Sequence, residues 1–319
     1  MVVPTRDRRS LLCQTVAHVL AQRDVDLELI VVDDGSRDGT SEWLLSLCDP
    51  RISLLHGEGG GVAAARNLGL SKACADLVAF NDDDDLWAPD KLATQVAALR
   101  GDPSARWVCS GAVRVNAALE VIATERVWVR GDVSAIALAA NPVPGGASGV
   151  VAETELVRAV GGFDERFHVL ADWDLWVRLG SRSELCAVDR PLHAYRVHAG
   201  GMSGSVATTR AEIKLLDDKY REERAERSVS LNMGRLEHWM GDRAQRSGHR
   251  VDASRAFLRS TAIKRRSRRY ARAAEALLWP GGIRRRDRRR RQRVNAEWLA
   301  ETADWLPSPA GRSAEPDGG

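Results

Sequence analysis

Four aspartates in succession, Asp82 to Asp85, follow the apolar run Leu77-Val78-Ala79-Phe80 and precede Leu86-Trp87-Ala88-Pro89. Adjacent like charges repel, and carboxylates at the end of a strand lose solvation, so the cluster is costly without a cation. Mg²⁺ and Mn²⁺ choose oxygen ligands and bridge one or two carboxylates to phosphates. A solvated acidic loop is the plainer alternative. A second pair, Asp33-Asp34, ends another apolar run and leads into Gly35-Ser36. By itself that stretch also reads as a turn and helix cap. Arg66 follows Gly59-Gly60-Gly61 on a helical pattern, where it can reach a base or a diphosphate, or simply face solvent.

These residues need a frame. Val2-Val3 reads as the end of a strand, and Leu27 to Val32, Ile52 to Leu55 and Leu77 to Phe80 read as three more. Between them, Ser10 to Ala21, Thr40 to Leu47 and Val62 to Cys74 read as helices, and Pro89 to Leu99 as a fourth. Apolar runs spaced by helical patterns predict an α/β fold with a mainly parallel sheet flanked by helices. Ligands in such folds sit beyond the carboxyl ends of the strands, where Asp33-Asp34, the glycine run and Asp82 to Asp85 all fall. Further on, Trp107 to Cys109, Val127 to Val129 and Leu192 to His198 are expected as strands, Asn141 to Gly149 as a loop and Ala171 to Leu179 as a helix. From Thr208 the pattern is helical, with Leu231 to Arg246 and Val251 to Leu258 forming a hairpin.

No apolar run reaches the ~18 residues of a membrane span, and the first residues lack the apolar core of a secretory signal. Five scattered cysteines without metal-binding spacing suit free thiols in a reducing cytosol. The net charge of +3 conceals an asymmetry. Lys264 to Arg293 holds fourteen basic residues against two acids, a balance of +12 that leaves −9 for the remainder. Basic clusters beside Leu277-Leu278-Trp279 suit an anionic membrane surface or a solvated helix. Nucleic acid is a poor partner for so acidic a body.

Taken in order, the motifs resemble a known family. Val3-Pro4-Thr5, Leu29 to Ser36 (LIVVDDGS), Ala65-Arg66-Asn67, Asp82 to Leu92 (DDDDLWAPDKL), Gly161-Gly162-Phe163-Asp164 and Ala171 to Arg178 (ADWDLWVR) look like a glycosyltransferase of family 2 with the GT-A fold. The resemblance covers roughly residues 1–205. It implies that Asp34 accepts a hydrogen bond from a uracil or thymine imide, with Pro4, Thr5, Arg6 and Arg66 around the same donor pocket. It implies that Asp84, with Asp82 and His198, holds Mg²⁺ or Mn²⁺ at the donor diphosphate, with Asp83 beside them. Gly162 would let the backbone approach the sugar closely. Asp172 would be the catalytic base, taking the proton of an attacking hydroxyl so that one displacement inverts the anomeric centre. Without the resemblance, Asp172 reads as a helix cap, His198 as a structural histidine, and Trp173 and Trp176 as buried aromatics.

Ala171 departs from the acidic residue usual before the base, and only Met1-Val2-Val3 stand before the Pro-Thr pair, so the strand is short or the natural start lies upstream. The reading predicts an α/β GT-A domain over 1–205, a helical extension over 206–262, a basic helical segment over 263–306 and a disordered tail over 307–319. It predicts an inverting transferase using a nucleoside-diphosphate sugar and a saccharide or lipid-linked acceptor for cell-surface polysaccharide or glycolipid. The expected location is the cytoplasm or the inner face of the membrane. Two rivals are a non-catalytic sugar-nucleotide scaffold and an NAD-dependent oxidoreductase, the latter because Gly59-x-Gly61-x-x-Ala64 with Asp82 imitates a dinucleotide fingerprint.

Overall fold

The computed structural model describes residues 1–198, 205–264 and 295–307. Past Lys264, residues 265–293 of the expected basic stretch, and the tail beyond Pro307, lie outside the described residues. Strands β1 (Val2–Thr5), β2 (Leu29–Asp33) and β3 (Ile52–His56) pair in parallel in that order. They are joined through α1 (Arg9–Leu20) and α2 (Thr40–Ser46), and α3 (Val62–Lys72) follows β3. The strand side chains alternate between two cores. Val2, Ile30 and Val32 enter one, and Val3, Leu29 and Val31 the other, as the two-residue pleat requires when helices cover both faces.

A parallel bridge from Val2 to Phe80 links this half to the second, where β4 (Leu77–Ala79) begins. There the spatial order is β4, β8 (Val150–Glu153), β6 (Ala105–Asn116), β9 (Glu184–Val197), β5 (Leu86–Trp87), with β7 (Val121–Glu125) added to β6. β6 and β9 run parallel, whereas β4–β8, β6–β8, β5–β9 and β6–β7 are antiparallel. The architecture is the expected α/β sheet with flanking helices, parallel in its first half and mixed in its second. Helices α4 (Lys91–Arg100), α5 (Ser134–Ala139), α6 (Thr154–Ala159) and α7 (Ala171–Gly180) complete this part.

One strand expectation is corrected. Val127 to Val129 forms no strand and pairs with none; the ladder instead uses β7. The Val127 N–H donates to Asp189 Oδ1 (3.1 Å), so a side chain satisfies it in place of a neighbouring strand. The Pro/Gly loop closes with a 3₁₀ turn over Gly146–Gly149.

Helices α8 (Val206–Lys219), α9 (Arg221–Glu226), α10 (Met233–Arg246) and α11 (Arg250–Lys264) follow. The hairpin of α10 and α11 packs Phe257 against Gly241, where an added Cβ would come within 2.7 Å of the ring. A last helix, α12 (Ala296–Ala303), returns to the sheet and buries Trp298 over Gly111 of β6.

Candidate active site

The acid run leaves β4 in a tight turn that gives each carboxylate different surroundings. Asp85 points inward and is wholly buried. Its Oδ2 accepts from Ser148 Oγ (2.6 Å) and its Oδ1 from the Arg196 N–H (2.9 Å). Burial, with the charges of Asp84 and Asp82, holds this carboxyl well above the usual carboxylate range. Asp83 accepts from Thr5 Oγ1 (2.8 Å) and Arg8 Nη1 (3.0 Å). Burial and then the neighbouring Asp84 charge push it up to about 6. Asp84 Oδ2 lies 3.1 Å from Arg8 Nη1 and 2.8 Å from His198 Nε2, while Asp82 pairs with Arg66. Oxygens of Asp82, Asp84 and Asp85 fall within 4.8 Å of one another. The motif reading put Asp82 and Asp84 in this cluster; it had no signal for Asp85, whose place depends on contacts 63 and 111 residues away.

At the end of β2, Asp33 serves the local turn. It accepts from the Ser36 N–H (2.8 Å) and from Ser41 Oγ. Asp34 faces the other way, accepting from the N–H groups of Gly59 (2.9 Å) and Gly61 (2.8 Å). This corrects the dinucleotide reading of the glycine run, because two of its N–H groups already serve Asp34 instead of pointing at a pyrophosphate. Each Asp34 oxygen accepts one backbone N–H and has a second lone pair besides.

Asp172 stands in the first turn of α7, partly exposed, with Oδ1 accepting from the Trp173 N–H (2.7 Å). Burial pushes its carboxyl up to about 6 against a downward pull from Arg66. The approach to α7 is held from the extension. Glu212 of α8, itself buried, accepts the N–H groups of His168 (3.0 Å), Val169 (2.9 Å) and Leu170 (2.8 Å). Deeper in α7, Asp174 receives Arg178, Lys219 and Tyr220, tying α8 to the same helix. Neither Trp173 nor Trp176 is free to stack on a sugar. Trp173 donates to the Ala137 carbonyl (2.7 Å), and Trp176 stacks on Trp107 at 5.5 Å.

A cavity of about 780 Å³ is lined by Pro4, Thr5, Arg6, Asp34, Arg66, Asp82, Asp83, Asp84, Asp172 and His198. Gly162 is the exception and needs correcting. It does not line the cavity but sits against Asn67, where an added Cβ would lie 2.5 Å from Oδ1, so its smallness serves packing between loop and α3. The far side of the cavity has no motif in the sequence. It is formed by α10, through Arg235, Trp239 and Arg243, and by the segment carrying Arg126 and Trp128. The helical pattern from Leu231 indicates a helix, while the placement of that helix over the sheet has no local signal.

Residues 1–121 match the family model described as glycosyl transferase family 2. An uncharacterized glycosyltransferase of Rickettsia felis is 28% identical over 203 residues, 63% of this chain and 33% of that one. The UDP-Glc:alpha-D-GlcNAc-diphosphoundecaprenol beta-1,3-glucosyltransferase WfgD of Escherichia coli is 36% identical over 98 residues, 30% of this chain and 39% of that protein. The matches thus span well under half the length of these curated relatives. Among solved structures, S. aureus TarS 1-349 in complex with UDP-GlcNAc is similar with a TM-score of 0.58 at 15% identity, over 92% of each chain, a likeness that speaks for the fold. Residues 1–121 thus resemble glycosyl transferase family 2, and the fold as a whole is a mixed α/β fold similar to that of TarS.

Proposed function

We propose that this protein is an inverting glycosyltransferase. It moves a sugar from a uridine or thymidine diphosphate to a hydroxyl acceptor, in making cell-surface polysaccharide or a glycolipid. One observation carries the reading: Asp34, the Asp82–Asp84 pair and Asp172, from three separate stretches of chain, line one cavity. WfgD, a UDP-Glc glucosyltransferase, and the TarS complex with UDP-GlcNAc both involve uridine-diphosphate sugars, which supports the donor class.

In this scheme Asp34 accepts the imide N–H of the base with the lone pairs its glycine partners leave. Arg66, buried with Nε lacking a hydrogen-bond partner, faces the diphosphate. The acid cluster suits a hard divalent ion, since three carboxylates converge and the Arg8 guanidinium already bridges Asp83 and Asp84 as a cation would. Mg²⁺ or Mn²⁺ held by Asp84 and Asp82, with His198 beside them, would supply positive charge to the departing nucleoside diphosphate. Asp172, with a carboxyl at about 6, is mostly ionised at neutral pH and basic enough to take the acceptor's proton. Ala171, buried before it, leaves Asp172 without the second acid usual at that place. No described helix is long and apolar enough to cross a membrane. We place the protein in the cytoplasm, with membrane attachment assigned to the basic Lys264–Arg293 stretch.

The test is nucleotide release from a panel of nucleoside-diphosphate sugars, with and without Mn²⁺. Metal-dependent release from a uridine or thymidine donor is expected. Tight donor binding without release, whatever the donor or acceptor, would make the protein a scaffold.

A further inference from the structure

The two ends of the cavity differ in charge balance. Around Asp34 and Asp82 to Asp84 the aspartates are interleaved with Arg6, Arg8 and Arg66. The cavity's far half is lined by Arg114, Arg126, Arg235, Arg243 and Arg246, with Glu125 the acid among them. Arg114 pairs with Glu125, Arg126 pairs with Asp189, and Arg246 lies 3.9 Å from Asp242. Arg235 and Arg243, by contrast, make no ion pair with a described residue.

Both are nevertheless held in place. The Arg243 guanidinium lies 4.9 Å over the Trp239 ring and 5.5 Å from the Tyr195 ring, and its Nη2 donates to Tyr195 Oη (2.7 Å). Four of its five N–H groups stay available. Arg235 lies 5.8 Å over Trp128, a tryptophan 48% exposed. Stacked guanidinium planes are preorganised for planar, two-pronged binding of oxyanions. Arg243 also sits within electrostatic reach of Asp172 and Glu125, so a charge bound there would lie near the proposed base.

We propose that the acceptor is anionic, and that Arg243 and Arg235 bind a phosphate or carboxylate close to the attacking hydroxyl while Trp128 and Trp239 flank it. The word acceptor rests on the transferase reading; the oxyanion site does not. The same chemistry has three sources: the diphosphate of a lipid carrier, a phosphodiester in a polymer, or a uronate.

The test fills the donor half with saturating UDP and Mn²⁺ and then measures binding calorimetrically for four probes. These are farnesyl diphosphate, a glycerol-phosphate hexamer, a galacturonate hexamer and a neutral galactose hexamer. At least one anionic probe should bind tenfold or more tightly than the neutral one and weaken with salt. That preference should fall at least tenfold in Arg235→Gln/Arg243→Gln and recover in part in Arg243→Lys. UDP affinity of the variants checks their fold; if the double variant loses it, the exposed Arg235→Gln is read alone. Equal binding of neutral and anionic probes, no anionic binding at millimolar concentration, or an unchanged preference in the variants overturns the proposal. Failure of the wild type to bind UDP sinks the donor reading instead.

Discussion

Asp172→Asn should stabilise the fold while stopping the chemistry assigned to that residue. Burial holds the Asp172 carboxyl at about 6, against 3.8 for the same group in an unfolded chain. Keeping it ionised at neutral pH therefore costs about 3 kcal/mol, of which screening by water at the cavity wall leaves about 1–3 kcal/mol. The sign follows from proton uptake. Between those two values the folded chain binds more protons than the unfolded one, so stability declines as pH rises from 3.8 to about 6 and stays lowered above. Asparagine carries no such cost and keeps an oxygen for the Trp173 N–H. The variant should exceed the wild type in urea unfolding at pH 7 by that margin, and the two should converge near pH 4. A variant no more stable at pH 7, or equally advantaged at both pH values, would refute the environment assigned to Asp172. Wild-type turnover supplies a second reading. Its ionised fraction falls from about 0.9 at pH 7 to about 0.1 at pH 5, so the rate should drop roughly tenfold. A flat profile over that range removes Asp172 as the base.

Asp84→Ala should abolish the Mn²⁺ dependence of UDP affinity, and a variant whose UDP binding still responds to Mn²⁺ is not missing a ligand. Glu212→Ala leaves three backbone N–H groups without their acceptor, which should lower stability by about 3 kcal/mol and slow turnover, because the chain leading into Asp172 loosens. Urea titration with parallel rate measurements reads both, and an undiminished midpoint would show that water replaces the carboxylate freely. Gly145→Ala places a Cβ 2.2 Å from His193 Nε2 at a φ of +64°, so a loss of about 2–4 kcal/mol in thermal or urea unfolding is expected. A loss under 1 kcal/mol would mean that the buried histidine moves aside easily.

Much of the first hundred residues was legible because its signals are local. Leu29 to Val32 is apolar without interruption because both faces of β2 are covered, and the acids mark where that cover ends. The order of motifs pointed to Asp34, Asp84 and Asp172 as partners, and the cavity unites them. Where the sequence misled, a distant contact had decided. Val127 gives its N–H to Asp189, and Gly162 is small for the sake of Asn67. Asp85 looks like its neighbours in the run, yet Ser148 and Arg196 draw it into the interior, and nothing within ten residues says so. The clamp of Glu212 and the basic wall of α10 belong to the same class. Periodicity reports which face of a helix or strand is apolar; it carries no record of which other element that face will meet. Composition and pattern thus determined the elements and the strand-end acids, while the three-dimensional packing decided which acids stay at the cavity and which charge stands opposite them.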